Sequence, residues 1–242
     1  IYIKKSLLFI TNMYYLLPFA VWPILYMISN NFLFSKDSIK LTRNLIGFVD
    51  ASACCIGAIG YYLYNNKISY EYSLLFPISY YIWDSYLIII KDLKKEIMYV
   101  YHHVIALLMI NELFFAEQKF IDMVYPILVT AELCNIPLYI SYYFIKTYPV
   151  VGDLDNKLKN LKKIVYSKAV QIFIFLVIRV VYYSYLFFYV LQDIPRNMYF
   201  KGAICTIYIM GLFWLFNQLR GFWNDLKLYN NLKLEKAAIK ND

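Results

Sequence analysis

The chain has 242 residues, of which 62% are hydrophobic, 20% are aromatic and only 17% are charged. A soluble domain of this length needs more polar surface, so the composition excludes a soluble globular protein and predicts a polytopic membrane protein. The net charge of +8 does not indicate a nucleic-acid-binding protein, because the basic residues lie in short segments between apolar runs.

Seven apolar stretches are long enough for a membrane-spanning helix, which needs about 20 residues. They cover residues 7–33, 44–64, 73–91, 97–115, 119–145, 164–191 and 202–219. The predicted fold class is therefore an all-α, polytopic transmembrane helix bundle of about seven spans. We expect three parts: an N-terminal transmembrane helix and loop (1–39), a membrane domain (40–230) and a polar cytosolic tail (231–242). Residues after Asn230 are expected to fray.

The basic residues are distributed unevenly over the two sides of the membrane. With seven spans, sixteen Lys and Arg residues lie on the side of the C-terminus and six on the other side. Those six are Lys4, Lys5, Lys67, Lys119, Arg196 and Lys201. Because cytosolic loops carry the basic excess, the count predicts a cytosolic C-terminus and a lumenal or external N-terminus.

Four ionisable residues are predicted at one depth on the cytosolic side. At about 1.5 Å per helical residue, Asp84 lies ~10 Å from the cytosolic end of the third span. His102 and His103 lie ~8–9 Å inside the fourth span, and Asp50 lies ~9 Å inside the second. Spans three and four share a short loop and should be antiparallel neighbours, so Asp84 is expected to pair with one histidine. This pair of Asp84 and a histidine could serve a function, or it could be a buried, hydrogen-bonded pair with a structural role alone.

A second group of polar residues is predicted near the middle of the membrane. Glu132 is central in the fifth span and Arg179 is central in the sixth. An unpaired charge at this depth is costly, so the two are expected to form an ion pair, either for helix packing or for ligand binding. Asn135 and Pro137 follow Glu132 and should loosen that helix locally.

Other kinds of site find little support in the sequence. Two adjacent histidines on one helix cannot readily bind one ion, and neither an HxxxH nor an HxxE spacing is present, so no metal site is predicted. No glycine-rich phosphate loop or other cofactor motif occurs. The four cysteines lie within predicted spans without a CxxC spacing, which indicates neither a disulfide framework nor a redox site.

The segment from Tyr80 to Ile110 resembles the TLC domain family. Its sequence is YYIWDSYLIIIKDLKKEIMYVYHHVIALLMI. Members of that family have an aspartate in one span, a short charged loop, and a double histidine at the start of the next span. The likeness continues through ELCNIPLYISYYF (132–144), through Arg179, and through Trp214 and Asn217 in the last span. It covers roughly residues 40–230.

Two branches of that family differ in what they imply. Ceramide synthases carry a further His-Asp-x-x-Asp stretch, whereas the corresponding region here reads LVTAELCNIPLYI, and His102 and His103 are the only histidines. The chain therefore resembles the non-synthase, transmembrane-protein-56-like branch, which is linked to membrane lipid composition. Asp50 departs from the family pattern, in which a histidine is usual at that place.

The resemblance implies two main hypotheses. In the first, the protein binds membrane lipids, acyl chains or sphingoid-like lipids and regulates lipid composition, with Asp50, Glu132, Asn135 and Arg179 contributing to binding. In the second, it is an acyl-CoA-dependent N-acyltransferase resembling ceramide synthase. One imidazole of His102 and His103 would then be nucleophile or general base, oriented by Asp84, with acyl-CoA as co-substrate.

A third hypothesis is a transporter or a chaperone-like factor, although the sequence has no inverted repeat. Neither a resident cofactor nor a nucleic acid is expected as a partner, and the sequence carries no signal for an oligomeric state. The family implies the endoplasmic reticulum or a related endomembrane.

Overall fold

A computed structural model of the chain describes residues 2–33, 39–91, 93–193 and 198–241, and the elements in this part of the chain are helices without any strand. The α-helices are α1 Tyr2–Ile28, α2 Ile39–Tyr64, α3 Lys67–Lys91, α4 Leu93–Phe115, α5 Gln118–Thr147, α6 Leu154–Phe175, α7 Tyr183–Asp193 and α8 Met198–Asn241. Two π-helical segments, Ser29–Leu33 and Leu176–Tyr182, continue α1 and join α6 to α7. Arg196, which entered the orientation count, lies outside the described residues.

The prediction of an all-α, polytopic membrane protein with about seven spans is confirmed. Six described helical segments are long and apolar enough to cross a membrane: α2, α3, α4 from Glu96, α5, the continuous segment Leu154–Tyr189, and α8 up to Ile239. The first predicted span, residues 7–33, falls in α1 and the π-helical segment that follows it.

The chain divides within α5 into two compact units, Ile1–Glu132 and Leu133–Asp242. In the first unit, α3 is the central helix and packs against α1, α2 and α4. Its core includes Trp22 from α1, Ile46 from α2, Leu74 from α3 and Ile110 from α4, all buried. This arrangement brings the beginning of α2, the end of α3 and the beginning of α4 together.

The turn between α2 and α3 is made by two asparagines. Asn65 has φ of 48°, in the left-handed region that asparagine tolerates better than most residues. Asn66 caps α3, because its Oδ1 accepts hydrogen bonds from the backbone N–H of Ile68 at 2.9 Å and of Ser69 at 3.3 Å. The two helices therefore form a tight antiparallel hairpin.

Close contact within this hairpin depends on Gly57. A Cβ atom at this position would lie 2.9 Å from both the carbonyl oxygen of Ser69 and the Cβ of Ser73. Because the backbone oxygen cannot move aside without moving α3, we expect Gly57→Ala to lower the free energy of unfolding by about 1–3 kcal/mol. Thermal unfolding in detergent measures the effect.

Gly202 on α8 is the matched control, because a Cβ there would meet no atom within 4 Å. Gly202→Ala should leave stability unchanged or raise it slightly, since alanine is the better helix former. Equal behaviour of the two variants would contradict the close approach at Gly57.

In the second unit, α6 packs against α8 in an antiparallel pair. Gln171 donates to Gln218 at 2.5 Å. Lys168 binds Asp225, and Lys236 binds Asp155. Residues after Asn230, which were expected to fray, are helical as far as Asn241, and Lys236 in this part of α8 binds Asp155 of α6.

Candidate functional site

Four charged side chains from α2, α3 and α4 form a network at the cytosolic ends of these helices, on the predicted orientation. Arg43 donates from Nε to Asp84 Oδ1 at 2.6 Å and from Nη2 to Asp84 Oδ2 at 2.9 Å. Its Nη1 donates to Glu96, and the other carboxylate oxygen of Glu96 is 2.9 Å from Lys40 Nζ. Two cations thus neutralise two carboxylates.

The network is largely shielded from solvent. The side chains of Arg43, Asp84 and Glu96 are 16%, 3% and 11% exposed. Arginine is suited to this position because its planar guanidinium engages a carboxylate through two parallel hydrogen bonds and a second carboxylate through the remaining nitrogen. Glu96 has φ of −122° and ψ of 15°, which interrupts the helical geometry near the start of α4. The network therefore fixes α4 to α2 and α3 at this bend.

His103 faces the interior of the first unit and is 4% exposed. Its ring stacks on Tyr81 with centroids 4.8 Å apart and planes 14° apart. Its Nδ1 is 3.1 Å from Ser85 Oγ, so these two side chains share a hydrogen bond. Its Nε2 is 3.9 Å from Asp84 Oδ2, which is too long for a hydrogen bond.

His102 is oriented differently, as expected for adjacent residues that face about 100° apart on a helix. It is half-buried, and its ring centroid lies 6.2 Å from that of Tyr81 and 5.8 Å from that of His103. Of the two histidines that the sequence could not distinguish, His103 is thus the one that lies beside Asp84 and Ser85. His103, Ser85, Asp84, Arg43 and Glu96 together are called the polar cluster.

Two more buried carboxylates, Asp50 and Glu132, belong to the first unit. Glu132 is 2% exposed and accepts a hydrogen bond from the hydroxyl of Tyr81, the residue whose ring stacks on His103. Asp50 is 1% exposed, and neither of its carboxylate oxygens has a hydrogen-bond partner among the described residues. Tyr81 therefore contacts the His103 imidazole through its ring and Glu132 through its hydroxyl.

The remaining predicted site residues lie in the second unit. Asn135 is half-buried on α5. Arg179 is 5% exposed on the π-helical segment Leu176–Tyr182, and its guanidinium carbon lies 5.9 Å from the ring centre of Phe175 and 5.4 Å from that of Tyr183. Because Glu132 and Arg179 belong to different units, the expected ion pair between them stays a prediction.

Arg43 and Glu96 are the residues of this cluster that sequence reasoning missed. Arg43 is one of the sixteen basic residues in the orientation count, and Glu96 ends the charged stretch KDLKKE between the third and fourth spans. Arg43 is partly buried and Glu96 is buried, and both belong to the Asp84 network. Asp84 lies 3.9 Å from His103, within ion-pair distance of the expected kind of partner, but its hydrogen bonds come from Arg43, which was not predicted. The sequence signal that could have identified Arg43 is its place at the start of the second span, from which a long basic side chain can extend along the helix toward a buried carboxylate.

No three His, Cys, Asp or Glu side chains lie close enough to bind a metal ion in the part of the chain that the structure describes.

A family model described as the TLC domain (TRAM, LAG1, CLN8) matches residues 10–224, from α1 into α8. The match extends further toward the N-terminus than the residues that carry the sequence resemblance. Neither a curated protein nor a solved structure matches the chain.

Proposed function

Because the chain belongs to the TLC domain family, we propose that it is a membrane protein that binds lipids and influences the lipid composition of its membrane. On this proposal it belongs to the non-synthase, transmembrane-protein-56-like branch. Its bound partners are membrane lipids, including acyl chains or sphingoid-like lipids, and the polar cluster of the first unit recognises the head of the ligand.

One observation carries the preference for binding over acyl transfer. Asp84, the carboxylate that would orient and activate a histidine, is bound by both Arg43 Nε and Nη2, while its oxygen is 3.9 Å from His103 Nε2. A carboxylate neutralised by a guanidinium is a weak partner for an imidazolium. In addition, the chain lacks the further His-Asp-x-x-Asp stretch that ceramide synthases carry.

The proposed location is the endoplasmic reticulum or a related endomembrane, with the C-terminus in the cytosol and the N-terminus in the lumen. Support comes from the excess of basic residues on the side of the C-terminus. The α6–α8 pair would then extend into the cytosol, since α8 at 44 residues is about 66 Å long and a bilayer core is about 30 Å thick.

Acyl-CoA-dependent N-acyl transfer is the second candidate, and the geometry of His103 is the observation that favours it. Its Nδ1 is 3.1 Å from Ser85 Oγ and its ring stacks on Tyr81, so the imidazole is held in one orientation inside the membrane domain. An oriented, buried imidazole could accept an acyl group or a proton.

Mass spectrometry of the purified protein after exposure to acyl-CoA tests the two candidates. We expect lipid to co-purify with the wild type without an acyl adduct on His102 or His103. The His102→Ala/His103→Ala double variant should still bind lipid, because Arg43, Asp84 and Glu96 of the polar cluster remain. The single variants His102→Ala and His103→Ala assign any acyl adduct to one of the two rings. An acyl adduct on either histidine, with loss of product in the double variant, would establish acyl transfer instead.

A further inference from the structure

Arg179 is a buried cation within a membrane-spanning segment of the second unit. It is 5% exposed and lies in the π-helical segment Leu176–Tyr182. The nearer end of the apolar segment Leu154–Tyr189 is ~15 Å away at about 1.5 Å per residue, which exceeds the reach of an arginine side chain. A charged residue at this depth ordinarily has a partner or a function, because an isolated charge in hydrocarbon is costly.

The guanidinium of Arg179 has aromatic neighbours within its own unit. Its carbon lies 5.9 Å from the ring centre of Phe175 and 5.4 Å from that of Tyr183. These rings attract the positive charge, but a ring face does not replace the oxygen acceptors that five N–H donors require. Within the described residues of the second unit, no hydrogen bond or ion pair to the guanidinium occurs. This unit therefore leaves the N–H donors of Arg179 without an oxygen acceptor.

The hydroxyl of Tyr183 is a second buried donor at the same place. Tyr183 is 0% exposed, and its hydroxyl has no hydrogen-bond partner in the part of the chain that the structure describes. The ring stacks on Tyr208 with planes 6° apart, but the Tyr208 hydroxyl is hydrogen-bonded to Ser184 at 2.6 Å. Buried donors are ordinarily satisfied, so the combination of Arg179 with the Tyr183 hydroxyl requires an explanation.

The backbone around Arg179 also has the features of a binding site. π-helical turns are rare and frequently occur at functional sites. On α8, a Cβ atom at Gly211 would lie 3.4 Å from Arg179 Nε, so the arginine side chain passes close to a position without a side chain. Val177 and Tyr182 of the π-helical segment are 47% and 43% exposed. The lipid-facing surface of this segment therefore adjoins the buried guanidinium.

The chemistry of a suitable ligand follows from these donors. A guanidinium and a phenol hydroxyl both donate hydrogen bonds, so the complementary group is an anion with several lone pairs. A carboxylate or a phosphate matches the guanidinium best, because two of its oxygens accept parallel hydrogen bonds from the two sides of the fork. Within the membrane, the carrier of such a group is an amphiphile.

We propose that Arg179 and Tyr183 form an anion subsite of the second unit that binds the carboxylate or phosphate head of an amphiphile. This inference rests on the proposed lipid-binding function, and it adds a second site with a defined ligand charge, apart from the polar cluster. Arg179 supplies the positive charge and two parallel N–H donors, and the Tyr183 hydroxyl supplies a further donor.

The test compares the binding of hexadecanoate, hexadecyl phosphate and hexadecanol to the full-length protein in phosphatidylcholine nanodiscs. Wild type should bind at least one of the two anions about tenfold more tightly than the alcohol, which is one tenfold step in an equilibrium constant. The anion that binds more tightly identifies the head group as a carboxylate or a phosphate. Arg179→Gln should abolish the preference for the anion, and Tyr183→Phe should reduce it severalfold.

Stability measurements separate loss of binding from loss of fold. Tyr183→Phe should unfold at the same temperature as wild type, because the hydroxyl that it removes has no partner among the described residues. Tyr208→Phe is the matched tyrosine control, and Arg220→Gln, an exposed position on α8, is the matched arginine control. Both controls should keep the full preference for the anion.

Three results would overturn the subsite. The first is equal binding of the anions and the alcohol to wild type, and the second is an undiminished preference in Arg179→Gln or Tyr183→Phe. The third is a strong destabilisation by Arg179→Gln that Glu132→Gln reverses, because Arg179 would then form the ion pair expected from the sequence. If no amphiphile binds and no lipid co-purifies, the proposed lipid-binding function itself fails.

Discussion

Replacing Arg43 with glutamine is expected to lower the free energy of unfolding by about 3–5 kcal/mol, the range for breaking a buried ion pair by removing one partner. Asp84 would lose two hydrogen bonds and Glu96 one, leaving two carboxylates shielded from water without their main cation. Thermal or denaturant-induced unfolding in detergent measures the loss.

Two comparisons make this prediction specific to the network. Lys40→Gln should cost less than about 1 kcal/mol, because the Lys40 side chain is 53% exposed and surface ion pairs contribute little. Asp84→Asn introduced together with Arg43→Gln should recover part of the lost stability, because it removes one of the uncompensated charges. A double variant as unstable as the sum of the two single variants would show that the pair is not energetically coupled.

Replacing Trp22 with alanine is expected to cost about 3 kcal/mol, at the lower end of the range for removing a buried tryptophan. Trp22 is fully buried in α1, and its ring packs edge-to-face against Phe76 and Tyr80 on α3 with centroids 5.6 and 5.8 Å away. Its Nε1 donates to Ser79 Oγ at 2.7 Å. Because close packing drives helix association in a membrane, this cavity should loosen α1 from α3.

Trp22→Phe keeps an aromatic ring and removes the hydrogen bond, so it should cost about 1–2 kcal/mol. Trp223→Ala is the control on α8, because Trp223 is 67% exposed, and it should change stability by less than about 0.5 kcal/mol. Limited proteolysis within α1 should accelerate in Trp22→Ala only. Equal effects at Trp22 and Trp223 would contradict the packing of α1 on α3.

The spans could be predicted from the sequence because hydrocarbon imposes a simple constraint. Every backbone polar group in the membrane must be satisfied within a helix, and each helix needs about 20 apolar residues, so length and hydropathy suffice. The same reasoning identified the buried ionisable residues Asp50, Asp84 and Glu132, which the structure buries. At the end of α8, composition predicted fraying, whereas the structure has a helix as far as Asn241.

The sequence by itself determined the all-α membrane fold, because hydrocarbon requires each span to satisfy its own backbone in a helix of about 20 apolar residues. Only the tertiary structure decided which partners meet. It gave Asp84 its hydrogen bonds from Arg43, with His103 at 3.9 Å, and turned His103 rather than His102 inward. It left both carboxylate oxygens of Asp50 without a hydrogen-bond partner among the described residues. The physical reason is that partner choice depends on the rotation of each helix about its axis and on side-chain reach. Packing against neighbouring helices determines the rotation of each helix and the reach of its side chains, and the hydropathy of the sequence gives no information on these two quantities.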